Sequence, residues 1–231
     1  MSDTETRTAS VIVLGKGSLG IRVAEWFLRS PRYRLQQVVP VIPEPQWSDS
    51  LVDWCRANCV PVVESGHYGD IANVQHTEWG VDLAFSVFYD KIIRGWFIKK
   101  CGRILNLHNG PLPKYRGVSP INWALKRGEV SHGATIHEIA EGIDDGPIVS
   151  QVIYSIYPEF DEVIDVYRRA LRFGWLLFEE TMPLLDKIQA RPQVQSAATY
   201  YNVKQNELLG DRSGFTRRQS HTNDRRSGCD E

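Results

Sequence analysis

A strand, a glycine turn and a helix near the start of the chain constrain its fold more than any other feature. Val11–Gly15 is a short apolar run that predicts a buried strand, and the apolar residues of Leu19–Phe27 then recur at helical spacing. Gly15, Gly17 and Gly20 complete the pattern G-x-G-x-x-G between them. Such a unit is typical of parallel sheets covered by helices.

The same alternation continues along the chain. Further strands are predicted at Leu35–Val41, Pro61–Val63 and Asp82–Val87, and helices at Ser48–Cys59, Asp70–His76 and around Ile92–Phe97. His132–Ile139 and Ile148–Ile156, joined by a short acidic loop, favour an antiparallel hairpin. We therefore predict an α/β fold with a Rossmann-like, mixed but mostly parallel sheet and helices on both faces. A long helix from Asp161 to Ala190 should be split or kinked by Pro183.

The glycine turn is a candidate anion site. A helix N-terminus with free backbone N–H groups favours a phosphate, and Lys16 would strengthen it. A dinucleotide site would also need an acidic residue after the second strand, where only Glu44 stands, between two prolines. We expect Lys16, Gly17 and Ser18 to bind an anionic part of a substrate. Two alternatives are glycines that serve strand–helix packing alone, and a nucleotide-binding oxidoreductase.

The segment LNLHNGPLPKYRG, Leu105–Gly117, carries the residues best suited to catalysis. Asn106 and His108 are two residues apart, so an extended chain places them on one face. Asp144 could orient the His108 ring and raise its pKa. No serine or cysteine occupies a G-x-S-x-G pattern. These residue types suggest attack by a substrate amine on a bound acyl or formyl donor, with an ordinary histidine at a strand end as the alternative.

Two motifs together resemble the formyltransferases that use N10-formyltetrahydrofolate. They are N-L-H-N-G-P-L-P-K-Y-R-G and H-G-A-T-I-H-E-I-A-E-G-I-D-D-G-P-I, and the resemblance spans about Val11 to Ile156. The family pattern is N-x-H-x-S-x-L-P-x-x-x-G followed by G-x-T-x-H and D-x-G. The resemblance implies the formyltransferase fold, N10-formyltetrahydrofolate as co-substrate, no metal, and catalytic roles for Asn106, His108 and Asp144. Gly110 departs from the pattern, because many members have serine there.

The resemblance also implies two binding regions. The pterin of the donor should lie between the loop after the Asp82–Val87 strand and the loop that bears the catalytic acid. The expected contacts are Phe85, Val87, Phe88, Tyr89, Ile139, Glu141 and Ile143, with plain core packing as the alternative. The proline-rich loop should form a wall of the acceptor site, with Asn109, Gly110, Pro111 and Tyr115 as substrate contacts.

Within the family, the segment PLPKYRGVSPINWALKRGE favours a resemblance to sugar N-formyltransferases. The implied acceptor is a nucleotide-linked amino-deoxysugar, such as GDP-perosamine, dTDP-Qui4N or dTDP-Fuc3N, used for the O-antigen of surface lipopolysaccharide. Glycinamide ribonucleotide and methionyl-tRNA formyltransferases are the alternatives. A formal net charge of -1 gives no electrostatic reason to expect nucleic acid as the main partner.

The remaining expectations concern location and organisation. No apolar run approaches the roughly 20 residues that cross a bilayer, so we expect a cytoplasmic protein without membrane insertion. Cys55 and Cys59 should be thiols on one helix face rather than zinc ligands. We predict a disordered segment at 1–9, a catalytic domain at 10–192, a C-terminal extension at 193–216 and a disordered tail at 217–231. The extension, with Tyr200–Arg218, is the expected element of a homodimer, and a surface hairpin packed on its own chain is the alternative.

Overall fold

The computed structural model describes residues 7–210. The predicted tail at 217–231 and most of the predicted N-terminal segment lie outside this range, while Ala9 already belongs to the first strand. The strands are β1 Ala9–Gly15, β2 Tyr33–Pro40, β3 Val81–Val87, β4 Cys101–His108, β5 Arg116–Gly117, β6 Ser131–Glu138, β7 Ile148–Ser155 and β8 Tyr200–Tyr201. The α-helices are α1 Gly17–Arg29, α2 Leu51–Ala57, α3 Gly95–Ile98, α4 Pro120–Lys126 and α5 Val163–Thr181. Short 3-10 helices occupy Tyr68–Asp70, Met182–Lys187, Gln195–Ala197 and Val203–Leu209.

Six strands form one mixed sheet in the order β2-β1-β3-β4-β6-β7. Strands β2, β1, β3 and β4 run parallel, whereas β6 is antiparallel to both β4 and β7. The predicted mixed, mostly parallel sheet and its antiparallel hairpin are therefore confirmed. The predicted catalytic domain at 10–192 contains nearly all of this sheet, and its boundary at residue 192 stays a prediction.

Helices cover both faces of the sheet, as predicted. On one face α1 and α5 bury a cluster in which the rings of Phe27, Phe85 and Phe178 lie 5.0–6.0 Å apart. On the other face a second cluster includes Tyr68 and Phe97. Helix α5 ends just before Pro183, whose missing N–H does not continue an α-helix, and a 3-10 helix follows.

Two predicted elements are wrong. Pro61–Val63 is no strand but a single bridge between Val38 and Val62, because the segment is short and proline has no N–H to donate. Asp70–His76 is a series of turns after a 3-10 helix, since Asn73 adopts a left-handed φ of 62° that interrupts a helix. The helix predicted around Ile92–Phe97 begins only at Gly95.

The parallel strands β1, β3 and β4 bring their carboxyl ends to one edge of the sheet. This places the glycine turn, Phe88 and His108 near one another, at the edge where ligands of such sheets bind. A two-stranded sheet of β5 and β8 then brings residues 200–201 beside the loop that follows His108. Within residues 7–210, no helix combines the length and apolar character needed to span a membrane.

The predicted dimer element is described only in part, because residues 211–218 lie outside the range. Tyr201 is buried and stacks on Trp123 of its own chain, with ring centroids 4.4 Å apart. Tyr200 pairs with Arg116 in the small sheet. The dimer itself stays a prediction.

Candidate active site

The last three residues of β4 include two of the three predicted catalytic residues. Asn106 and His108 occupy alternate positions of the strand and pair with His137 and Thr135 of β6. Asp144 comes from the loop between β6 and β7, where it adopts a left-handed φ of 50°. Its Oδ2 atom lies 3.5 Å from His108 Nδ1. The structure thus brings the predicted three residues together.

His108 is buried, and its two ring nitrogens have different partners. Nε2 lies 2.8 Å from the carbonyl oxygen of Tyr115, so it carries the proton and donates it there. Nδ1 faces the Asp144 carboxylate without a proton of its own. Burial lowers the pKa of His108 against the opposing effect of Asp144, so the ring is neutral near pH 7. A neutral Nδ1 beside a carboxylate is suited to accept a proton.

Asp144 is held in its ionised form. Burial alone would raise its pKa, but the attraction of the carboxylate to the His108 and His137 rings, which are protonated at the low pH where a carboxyl titrates, and the backbone N–H of Gly117 hold the pKa well below the usual range. The Gly117 N–H donates to Oδ2 at 2.8 Å. The carboxylate is therefore charged and oriented, and it would stabilise a proton arriving on His108.

His137 is a buried member of the site that the prediction omits. Its Nδ1 lies 2.8 Å from the Glu138 carbonyl oxygen and donates to it, so Nε2 accepts from the Asn106 amide at 3.1 Å. The same Nε2 atom lies 3.5 Å from Asp144 Oδ1. The G-x-T-x-H motif contains His137, so the sequence carried the signal. This contact fixes the orientation of the Asn106 amide.

Two cavities meet at these residues. The first cavity has a volume of about 370 Å³ and the second a volume of about 670 Å³. Both are lined by Tyr89, Asn106, Gly117, Val118 and Asp144. A group bound in one cavity and a group bound in the other would therefore face each other across Asn106 and Asp144.

Most of the predicted donor contacts line the cavities, but two do not. Tyr89, Ile139, Glu141 and Ile143 line the first cavity, and Phe88 lines the second. Phe85 and Val87 are fully buried in the core behind the sheet, which corrects the expectation for both. Alternate residues of β3 point to opposite faces, so Ser86, between them, reaches the first cavity instead.

Of the predicted acceptor contacts, Lys16 and Asn109 line the second cavity. Ser18 instead lines a groove between α1 and α5, because the first turn of α1 directs it away from the sheet edge. Gly17 is buried within that turn at a φ of 67° and does not line the cavity. For both residues the contact with an anion stays a prediction.

The two ends of the proline-rich loop, Asn109 and Gly117, line the second cavity, whereas Gly110, Pro111 and Tyr115 do not. Gly110 is buried against His108, Pro111 packs near Gly133, and the Tyr115 side chain is buried with its hydroxyl donating to Glu129. None of the three predicted contacts lines the second cavity, because the loop folds back onto β6. The backbone carbonyl of Tyr115, not its ring, serves the site through His108.

Glu44 does not act as a ribose-binding acid. Its carboxylate accepts the N–H groups of Leu51, at 2.7 Å, and Val52, and so caps the first turn of α2. Gly15 serves close packing, since an added Cβ would lie 2.4 Å from the Val87 carbonyl oxygen. Gly15 is thus explained by packing and Gly17 by its left-handed φ, while Glu44, the acidic residue that a dinucleotide site would need, is bound to the N-terminus of α2.

The second cavity has aromatic walls that the prediction omits. Trp47 follows β2 and Tyr167 lies on α5, and their rings form an edge-to-face pair with centroids 5.4 Å apart. The two residues are far apart in sequence and belong to no motif. Among residues 7–210, no group of three or more His, Cys, Asp or Glu side chains is arranged to hold a metal ion.

Residues 61–180, more than half of the chain, match the model of the formyl transferase family, and the chain therefore belongs to that family. A stretch of 109 residues is 39% identical to the bifunctional polymyxin resistance protein ArnA of Wigglesworthia glossinidia brevipalpis. That match covers 46% of this chain and 16% of ArnA. The matched stretch, less than half of this chain, thus corresponds to about a sixth of this relative.

Solved structures share the fold. The N-formyltransferase of Helicobacter canadensis, in complex with folinic acid and dTDP-3-aminofucose, superimposes with a TM-score of 0.72 at 23% identity, over 86% of this chain and 72% of that chain. WlaRD, a sugar 3N-formyl transferase with dTDP and 5-N-formyl-THF, gives 0.73 at 22% identity, over 86% and 71%. Glycinamide ribonucleotide transformylase 1 of Symbiobacterium toebii gives 0.63 at 24%, over 81% and 95%.

Proposed function

We propose that the chain transfers a formyl group from N10-formyltetrahydrofolate to the amine of a nucleotide-linked amino-deoxysugar. One observation carries the proposal: two cavities of different size meet at Asn106 and Asp144, beside a neutral His108. The family membership supports the formyl transfer. The folates and the dTDP-linked aminosugar named with the similar structures support the choice of donor and acceptor.

The first cavity is assigned to the donor. Ile139, Ile143 and Tyr89 give it an apolar wall suited to a flat pterin ring, while Glu141 and Lys91 add polar groups at its lining. A donor bound there would place its formyl group at Asn106, which lines the same cavity.

The second cavity is assigned to the acceptor. It is the larger of the two, and Lys16 at the N-cap of α1 offers a positive charge beside free backbone N–H groups for a phosphate. The rings of Trp47 and Tyr167 provide apolar faces on which a nucleotide base can stack. A sugar between phosphate and site would bring its amine to Asn106 and Asp144.

The geometry supports direct transfer. The acceptor amine attacks the formyl carbon and forms a new C–N bond, while the Asn106 amide stabilises the developing oxyanion. His108 Nδ1 takes the proton that the amine loses, and Asp144 stabilises the charged ring. The bond between the formyl carbon and the donor's N10 then breaks, and the proton passes to N10. No group of the protein is formylated.

Glycinamide ribonucleotide is the second candidate acceptor. Lys16 and the α1 N-terminus would suit its single phosphate, and the likeness to the Symbiobacterium toebii transformylase covers 95% of that chain. Because glycinamide ribonucleotide has no nucleobase, the Trp47 and Tyr167 rings would have no role in binding it. We therefore favour the sugar nucleotide. We also propose a cytoplasmic reaction whose product serves O-antigen synthesis.

A panel of acceptors tests the proposal. Purified protein is incubated with N10-formyltetrahydrofolate and GDP-perosamine, dTDP-Qui4N, dTDP-Fuc3N or glycinamide ribonucleotide, and each product is read by mass for the gain of one formyl group. We expect formylation of a nucleotide-linked aminosugar. Formylation of glycinamide ribonucleotide alone would establish the second candidate, and no formylated product would reject both.

A further inference from the structure

Arg116, on β5, is a buried arginine held by neutral amides. Its Nε and Nη2 atoms donate to Gln193 Oε1 at 3.0 and 2.7 Å, and Nη1 donates to Gln195 Oε1 at 3.0 Å. In the part of the chain that the structure describes, Arg116 forms no ion pair with a carboxylate. A buried guanidinium costs free energy unless its donors are satisfied, so its partners are expected to be fixed in place.

Gln193 uses both ends of its amide. Its oxygen accepts from Arg116, and its Nε2 donates to the backbone carbonyls of Asp144 at 2.8 Å and Gly146 at 2.7 Å. The Gln193 side chain therefore binds the backbone of the loop that carries Asp144. It is 7% exposed, so these bonds are shielded from water.

The loop that Gln193 binds contains a residue in the left-handed region and a close backbone packing contact. Asp144 adopts a left-handed φ of 50°, a conformation that costs a non-glycine residue about 1–2 kcal/mol. Gly146 lies so close to β6 that an added Cβ would be 1.9 Å from the Glu138 carbonyl oxygen. The Gln193 amide donates to the carbonyl oxygens of these same two residues.

The residues next to Arg116 hold the same site. The carbonyl of Tyr115 accepts the His108 Nε2 proton, and the N–H of Gly117 donates to Asp144 Oδ2, both at 2.8 Å. Of these three consecutive residues, Tyr115 contacts His108 and Gly117 contacts the Asp144 carboxylate. Arg116, between them, reaches the Asp144 backbone through Gln193.

We propose that Gln193, oriented by Arg116, is a positioning residue that holds the Asp144 carboxylate toward His108 Nδ1 during formyl transfer. This inference rests on the proposed function. It places residue 193, the first residue of the predicted C-terminal extension, in the catalytic machinery. The titratable groups that face His108 are Asp144 on its loop and His137 and His132 on β6.

Two substitutions separate positioning from folding. Gln193→Ala removes all of the amide bonds, whereas Gln193→Asn keeps a neutral amide that is one methylene too short to reach both Arg116 and the carbonyls of Asp144 and Gly146. We expect Gln193→Asn to retain the wild-type melting temperature within a few degrees, because it stays neutral and polar. Both variants should lower kcat about 10- to 100-fold and change the KM values for donor and acceptor less than about threefold. Gln189→Ala, at an exposed glutamine, is the matched control.

The pH profile provides a readout that a general loss of folding would not move. The base must be neutral, so kcat falls as the pH drops through the pKa of His108. Because Asp144 raises that pKa, loosening Asp144 should shift this acid limb to lower pH in both Gln193 variants. Unchanged kcat and an unshifted limb in Gln193→Asn would overturn the inference.

An NMR titration of the His108 ring tests the inference without any assay of transfer. We expect a lower pKa of His108 in Gln193→Asn than in the wild type and in Gln189→Ala. Equal pKa values in all three proteins would refute the positioning role. If the wild type formylates no acceptor, the proposed function fails while the titration still reports whether Gln193 holds Asp144 in place.

Discussion

At the scale of single residues, the orientation of His108 explains the departure at Gly110. A Cβ at this position would lie 2.9 Å from His108 Nε2, closer than a real Cβ approaches another atom. The ring is held there by its bond to the Tyr115 carbonyl. The glycine, where the family pattern has serine, is therefore matched to this ring position.

Replacing Gly110 should disturb the ring. We expect Gly110→Ala to push His108 away from the Tyr115 carbonyl and to lower kcat at least about tenfold, because small misplacements of a catalytic group are costly. Gly80→Ala is the control, since Gly80 precedes β3 at the end of the strand away from the site, and an added Cβ would lie no closer than 3.3 Å to its nearest neighbour, the Lys100 carbonyl oxygen. Steady-state kinetics on a proven acceptor provide the measurement. Wild-type kcat in Gly110→Ala would contradict the proposed role of this contact.

Asn106 is the proposed donor to the oxyanion. Its amide is oriented by His137, so its free N–H can face the junction of the two cavities. We expect Asn106→Ala to lower kcat by about 10²–10³, the usual cost of losing one such donor. Asn58→Ala, at an exposed amide far from the site, should leave kcat unchanged. A loss of less than about threefold would argue against the oxyanion role.

At the scale of elements, periodicity predicts what is regular and misses what is assembled from distant segments. The β3 strand and its position were predictable, yet Phe85 and Val87 were assigned to a cavity that only their neighbour Ser86 reaches. Because alternate residues of a strand point to opposite faces, strict alternation would have placed Ser86 toward the cavity and Phe85 and Val87 toward the core. The Asn106, His108 and Asp144 grouping was predictable, because motif spacing and strand ends fix it. The pair of Trp47 and Tyr167 was not, since no local pattern links a loop after β2 to α5.

The glycine turn and the loop after β3 should serve different ligands. Lys16 lines the second cavity and Lys91 the first. We expect Lys16→Gln to raise the KM for the sugar nucleotide about tenfold through loss of one charge-assisted contact, with little change for the donor. Lys91→Gln is the paired control and should leave the acceptor KM unchanged. If Lys91→Gln alone raised the acceptor KM, the assignment of the two cavities would be reversed.

At the scale of the whole molecule, residues that follow the main sheet in sequence pack against the active site. Strand β8 pairs with β5, and Gln193 binds the Asp144 loop. Residues that follow the main sheet in sequence therefore complete the site. Sequence alone could not predict this, because a two-residue strand and a single glutamine carry no periodic signal. The mixed sheet itself follows from patterns that each extend over several residues.

Buried histidine also links the stability of the whole fold to pH. His132 is fully buried, and burial lowers its pKa to about 4. The unfolded chain takes up this proton below about pH 6.5, whereas the folded protein resists it, so stability falls as the pH drops from about 6.5 toward 4. We expect this histidine to account for a loss of about 2 kcal/mol between pH 7.5 and pH 5.

Denaturant unfolding at the two pH values measures this contribution. The difference should shrink by about 2 kcal/mol in His132→Gln and stay as in the wild type in His76→Gln, at an exposed histidine. An equal pH dependence in the wild type and His132→Gln would show that His132 does not resist protonation in the folded protein.

Direct transfer between two cavities is the central claim, and a single-turnover experiment tests it most directly. Protein in excess is mixed with N10-formyltetrahydrofolate and the aminosugar nucleotide, quenched at successive times, and both the intact protein and the sugar nucleotide are weighed by mass spectrometry. We predict that the sugar nucleotide gains one formyl group while the protein mass never changes. A formylated protein that appears before the product, or a sugar nucleotide that never gains a formyl group, would contradict the claim.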